Sequence, residues 1–320
     1  MVLTISQKSS KSKKIRIILD TDANNELDDQ HAIAYMLFND SIFDVEGLTI
    51  NKTRNGGSID DHYDEANRVV KLCGWHSRIE LYKGATGSFD EIKYQLNNPV
   101  FDGSDAVDFI ISMAEKESNR KLVLLSIGKL TNIALALHKV PSISSKIRIV
   151  WLGSNYPVPG EYNQENDLSS LQYIIDCNVD FQIALVRYGE PSGTDAVRVS
   201  LSEIEKIMPG KGPHISTPVK GRHGGTFTNF GDYSVNLFQN IDYHDDPPSR
   251  ALFDMAAVAI VKNPSWARPT KIPKPNLIDG NWHERPNHPD RITLWENFDK
   301  EKIVDDYFSS MENYVLDQSK

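Results

Sequence analysis

The sequence predicts an α/β fold with a mainly parallel central sheet and helices on both faces, in the Rossmann-like manner, and three observations predict it. Strand and helix signals alternate along most of the 320 residues. The strand candidates are continuous apolar runs, such as residues 122–127 (LVLLSI) and 147–152 (IRIVWL), as strands buried on both faces require. Polar residues gather just past the ends of those runs, where ligands bind in open parallel sheets.

Taken in order, residues 1–14 are polar and lack an apolar signal core, which predicts a disordered tail ahead of one domain spanning 15–320. Residues 15–19 (IRIIL) form the first strand candidate, and Ile33, Ala34, Met36 and Leu37 mark the first helix, which Asp28 or Asp29 could cap. A strand at 45–50 (VEGLTI) precedes a helix whose stripe is Ile59, Tyr63, Ala66, Val69, Val70 and Cys73. A short strand at 79–83 and a helix at 106–117 (AVDFIISMAEKE) follow. Gly128 stops the strand at 122–127, Thr131 is placed to cap the helix NIALALHK, and Gly153 stops the strand at 147–152. Residues 168–175 read as helix and 181–186 as strand. From 189 to 246 the pattern fails in Gly, Pro, His and Asn, which predicts a loop or lid region. An apolar helix at 251–261 carries one acid, Asp254, and a last helix at 303–316 closes the pattern.

Composition excludes several function classes. The formal net charge of -9 argues against a nucleic-acid surface, so the expected partners are small molecules. No apolar run is long enough for a membrane span. Cys73 and Cys177 are too few for a disulfide framework, so a cytoplasmic setting is expected, or a secreted or periplasmic one had a leader been removed.

The stretch that organises the chain is residues 20–29, DTDANNELDD, where Asp20, Asp22, Asp28 and Asp29 crowd between a strand and a helix. Turn formation and capping account for one or two of these acids; a hard divalent cation with oxygen ligands accounts for all of them. Past the other strand ends lie Asn51 and Asn55, the Ile127 carbonyl, and Asn155, Glu161 and Asn163, with Lys129 the only nearby cation. Acids and amides without Cys suit Ca²⁺ or Mg²⁺, not structural zinc. An Asp254 buried in its helix needs either a cation or a partner such as Arg250.

DTDANNELDD resembles the D-x-D-x-x-x-D-D signature of the inosine–uridine nucleoside hydrolases. AVDFIISMAEKE with LVLLSIGKLTNIALAL, then WLGSNYPVPGEYNQEND, then LFDMAAVAIVKNPSWA resemble that family's later blocks, in family order over residues 15–316. The resemblance implies a calcium-dependent hydrolase of the N-glycosidic bond of ribonucleosides or related ribosides, and a homo-oligomer, dimer or tetramer. It implies Asp22, Asp29, Asp254 and the Ile127 carbonyl as Ca²⁺ ligands, and Asp28 as the general base that activates water. It also implies Asn155, Glu161 and Asn163 as ribose contacts, with Asn55 as a further sugar-binding residue and Asn51 as its alternative.

The sequence departs from the family pattern in three places. Asp22 and Asp28 stand two residues further apart than in the signature, because Asn24, Asn25 and Glu26 lengthen the loop. Phe253 stands where the pyrimidine-accepting branch has a His that protonates the leaving base; the purine-preferring branch has a Trp there, so Phe253 points to a purine-like or other aglycone. An HG motif expected before the AVDFI helix is replaced by NNPVFDGSD. His62, His223 and His244 are acid candidates by elimination. Two other readings compete: a haloacid-dehalogenase-type phosphatase with Asp20 as nucleophile, and a non-catalytic nucleoside or sugar binder.

Overall fold

A computed structural model describes residues 14–243 and 245–314. Residues 1–13 of the expected tail, His244 and the end of the expected last helix lie outside the described residues.

The centre is an eight-stranded sheet. Its first six strands are β1 (Ile15–Thr21), β2 (Phe43–Ile50), β3 (Leu81–Lys83), β4 (Leu122–Ser126), β5 (Ile147–Leu152) and β6 (Asp180–Ala184). They lie parallel in the order β3-β2-β1-β4-β5-β6. The chain winds outward from β1 to β3, returns to the other side of β1, and winds outward again. The reversal leaves a crevice at the carboxyl ends of β1 and β4, the switch point at which doubly wound sheets bind ligands.

Beyond β6 the strand Arg291–Glu296 pairs in parallel, and Arg268–Pro273 closes that edge antiparallel. The sequence reading overlooked both. RPTKIP carries two prolines that a central strand would not tolerate, but an edge strand offers one side without a ladder to satisfy.

Helices cover both faces. One apolar core lies under α1 (Asp28–Leu37) and the helices Ile59–Leu72 and Phe253–Lys262. The other lies under Ser104–Glu115, Thr131–Lys139 and Leu168–Asp176. Every residue of α1 is buried, which explains its weakly amphipathic sequence. The last helix spans Lys300–Asn313.

Two local expectations are corrected. Neither Asp28 nor Asp29 caps α1; Leu27 holds the N-cap position without a side-chain bond, and both acids sit in the first turn, where the helix dipole favours negative charge. Thr131 does not cap its helix either, since its hydroxyl donates to Asp167 Oδ2 at 2.5 Å.

The region 189–246 is also more ordered than its composition predicts. It holds the helices Leu201–Ile207 and Phe230–Gln239, and Phe230, Tyr233, Leu237 and Phe238 of the latter are buried in the core against α1. A buried hydrogen bond joins the two parts, with His31 Nε2 2.7 Å from Ser234 Oγ.

Candidate active site

The floor of the crevice is a fixed polar layer. Asp20, at the end of β1, is 1% exposed, and its oxygens accept from Thr49 Oγ1 (2.6 Å), Asn132 Nδ2 (2.7 Å), Asn51 Nδ2 (2.9 Å) and Ser126 Oγ (3.4 Å). Burial still pushes its carboxyl up to about 6. The bonds tie β1 to β2, to β4 and to the helix after β4, so Asp20 is an anchor. An Asp with both oxygens engaged and no cavity face cannot serve as a phosphatase nucleophile.

Above this layer lies Asp22. Its Oδ2 accepts from Thr53 Oγ1 at 2.5 Å and Asn25 Nδ2 at 2.7 Å, while its Oδ1 is buried without a partner. A Cβ at Gly128 would stand 2.7 Å from that Oδ1 and from both Asn51 amide atoms, so a side chain there would force these buried groups to shift. His62 is buried under the same loop, with Nδ1 2.8 Å from the Asp22 carbonyl.

Asp28, Asp29 and Asp254 meet at the crevice, each buried, with oxygens within 4.8 Å of one another. The first turn of α1 supplies two of them and the first turn of the helix Phe253–Lys262 the third, so the packing of those helices builds the cluster. Thr21 Oγ1 donates to Asp29 Oδ1 at 2.5 Å.

The electrostatics are those of acids awaiting a counter-charge. Burial, then the charge of Glu26, pushes Asp28 up to about 7. Burial, then Asp22 and Asp28, holds Asp29 well above the usual carboxylate range, and burial, then Asp28 and Asp29, does the same for Asp254. At an effective dielectric of about 20, charges this close repel by roughly 3 kcal/mol per pair. A hard cation reverses that sign, and the three converging carboxylates are a donor set that fits one; Asp22, whose charge acts on Asp29 and Asp254, keeps Oδ1 buried without a partner.

The three acids line a cavity of about 370 Å³ together with Asn55, Ile127, Glu161, Asn163 and Phe253. Asn163 Nδ2 donates to the Ile127 and Leu152 carbonyls, each at 3.1 Å, and its Oδ1 has no partner. Glu161 accepts three backbone N–H groups, from Ser154, Asn163 and Gln164 at 2.8–2.9 Å, and burial pushes it up to about 7 against those bonds. It also caps the short helix Tyr162–Asn166, so its place in the wall is fixed. Phe253 meets Tyr188 edge to face, with ring centroids 5.8 Å apart.

Several expected residues do not line the cavity. Asp22 and Asn51 are fully buried, and the charge of Asp22 acts on Asp29 and Asp254 from there. Asn155 faces a neighbouring depression with Tyr156, Val158 and Tyr188, and its Oδ1 accepts from the Tyr188 N–H at 3.2 Å. Neither His62 nor His223 lines the cavity. Lys129 bonds the Thr86 and Gly87 carbonyls, whereas Arg198 and Arg250 line the cavity, so the sequence reading named the wrong nearby cation. Arg250 pairs with Glu26, not Asp254. Sequence reasoning also missed Tyr162, Tyr188 and Asp195 on the wall; the one available signal was the lengthened loop that brings Asn25 and Glu26 there.

Comparison with known proteins identifies the family and the fold. Residues 17–302 match the family model for inosine-uridine preferring nucleoside hydrolases. Among solved structures, a plant nucleoside hydrolase superposes with a TM-score of 0.71 at 17% identity, covering 94% of this chain and 100% of that one. An inosine-guanosine nucleoside hydrolase gives 0.72 at 15% identity, covering 95% and 100%. A purine-preferring ribonucleoside hydrolase from Gardnerella vaginalis gives 0.66 at 18% identity, covering 92% and 98%. A search among curated protein sequences returns no match.

Proposed function

Because the chain belongs to the inosine-uridine preferring nucleoside hydrolase family, and so is an N-glycosyl hydrolase, we propose that it is a calcium-dependent hydrolase that prefers purine ribonucleosides. The observation that carries this reading is the convergence of Asp28, Asp29 and Asp254 on one cavity with Ile127, Glu161, Asn163 and Phe253.

Asp22, Asp29, Asp254 and the Ile127 carbonyl are the residues to hold Ca²⁺. A cation there supplies positive charge that lowers the pKa of water and offsets carboxylate repulsion. Asp28 takes the proton of the attacking water, from its place in the cavity beside Asp29 and Asp254. Asn55, Glu161 and Asn163 orient the ribose hydroxyls. Asn155 acts from behind the wall, through its bond to Tyr188. The remaining acids favour the positive charge that develops on the sugar as the glycosidic bond breaks.

Purine preference is supported by the aromatic wall. Phe253 and Tyr188 offer faces to a flat heterocycle, and stacking is worth about 0.5–1.5 kcal/mol beyond the area buried. Initial rates on inosine, guanosine, adenosine and uridine, with chelator and with Ca²⁺ restored, test both parts. Purines should lead and the chelated protein should be inactive; uridine as the best substrate, or full activity in chelator, contradicts the corresponding part.

A further inference from the structure

The lengthened loop after β1 sets Glu26 against Arg250 in an ion pair at the cavity wall. Arg250 belongs to the short strand Ser249–Ala251, three residues before Phe253, and both partners of the pair line the same cavity as Phe253 and Tyr188. Both partners are held from behind: Arg250 Nη1 donates to the Asp242 carbonyl at 3.1 Å, and Arg222 Nη1 donates to the Glu26 carbonyl at 2.8 Å. Among the described residues, Arg250 keeps further N–H donors uncommitted and Glu26 Oε1 accepts no hydrogen bond. The side chains are 17% and 48% exposed, so a donor and an acceptor stand side by side, open to whatever enters.

Resting on the nucleoside-hydrolase reading above, we propose that Arg250 and Glu26 select leaving bases with a lactam edge, a ring carbonyl next to a ring N–H. The guanidinium donates to the carbonyl oxygen, and the carboxylate accepts from the ring N–H. Two sources offer this edge, 6-oxopurines and uracil. Adenine and cytosine reverse it, setting an amino group against the guanidinium and a bare ring nitrogen against the carboxylate. A reversed edge leaves both protein groups without partners in a partly desolvated site, and such mismatches are rejected far more strongly than a missing methylene. As the glycosidic bond breaks, its electron pair departs with the base, and the charge delocalises onto the same carbonyl, so the Arg250 contact strengthens in the transition state. The base then takes its proton from solvent.

The test is kcat/KM for inosine, adenosine, uridine and cytidine with the full chain, Arg250→Met and Glu26→Gln, in Ca²⁺. The natural protein should favour inosine over adenosine and uridine over cytidine by tenfold or more. Each variant should bring both ratios down toward one; in Glu26→Gln the amide can donate to the bare nitrogen of adenine, so the inosine-to-adenosine ratio falls even if Arg250→Met does not fold. A pair that merely staples the loop would lower all four substrates together, and unchanged ratios in Glu26→Gln would overturn the proposal. Ratios near one in the natural protein would overturn it as well, even with purines leading. Uridine outrunning inosine while cytidine stays slow would remove the purine preference and support the lactam selection.

Discussion

Thr21, the last residue of β1, donates its hydroxyl to Asp29 Oδ1 at 2.5 Å, which ties the acid of the helix to the strand before it. Asp29 is thereby fixed at the meeting point with Asp28 and Asp254 rather than free to swing to solvent. Asp29→Ala should abolish high-affinity calcium binding, read by calorimetry, with the fold retained. Unchanged binding in that variant would move the ligand set away from Asp29.

Asp28 lines the same cavity but carries a different role in this account. Asp28→Asn should keep the metal and the fold and lower kcat by about a hundredfold or more, the scale of a lost general base. Near-normal turnover would assign the proton to Glu26, which lines the same cavity two residues before Asp28.

In this account Phe253 stands where the resemblance would place an acid-bearing side chain, so help to the leaving group comes through stacking and hydrogen bonds. Phe253→Ala should reduce purine riboside turnover more than turnover of 4-nitrophenyl riboside, whose leaving group needs little help. Equal losses would make Phe253 plain core.

His31 gives a stability prediction independent of the site's chemistry. It is fully buried, with Nδ1 2.6 Å from the Leu27 carbonyl and Nε2 2.7 Å from Ser234 Oγ, and burial lowers its pKa to about 4. The unfolded chain takes up this proton near pH 6.5 and the folded chain only near pH 4. Stability from this residue is therefore complete above pH 6.5 and is lost as pH falls toward 4, by on the order of 3 kcal/mol. Denaturant unfolding of the natural protein and of His31→Leu across that window measures the difference. A gap between the two that does not change with pH would contradict it.

How much of this was legible in the sequence depends on distance along the chain. The parallel core was legible because strands buried on both faces are continuous apolar runs, and the acid cluster because three of the cavity's polar residues, Glu26, Asp28 and Asp29, follow one strand directly. The strand Arg268–Pro273 was not legible, since edge position rather than composition makes its prolines acceptable. The helix Phe230–Gln239 was hidden by the Gly-, Pro- and His-rich stretch before it, although its buried face packs on α1. The Arg250–Glu26 pair joins residues 224 positions apart, and no local pattern announces such a contact.

The central claim is that the carboxylates around this cavity hold a calcium ion without which the glycosidic bond is not cleaved. Ribose release from inosine, followed as reducing sugar while Ca²⁺ is titrated into chelator-treated protein, tests it most directly. The account predicts no release at the start and a saturable rise that levels at one Ca²⁺ per chain. Release that is already full before Ca²⁺ is added, or that never appears after saturation, would contradict it.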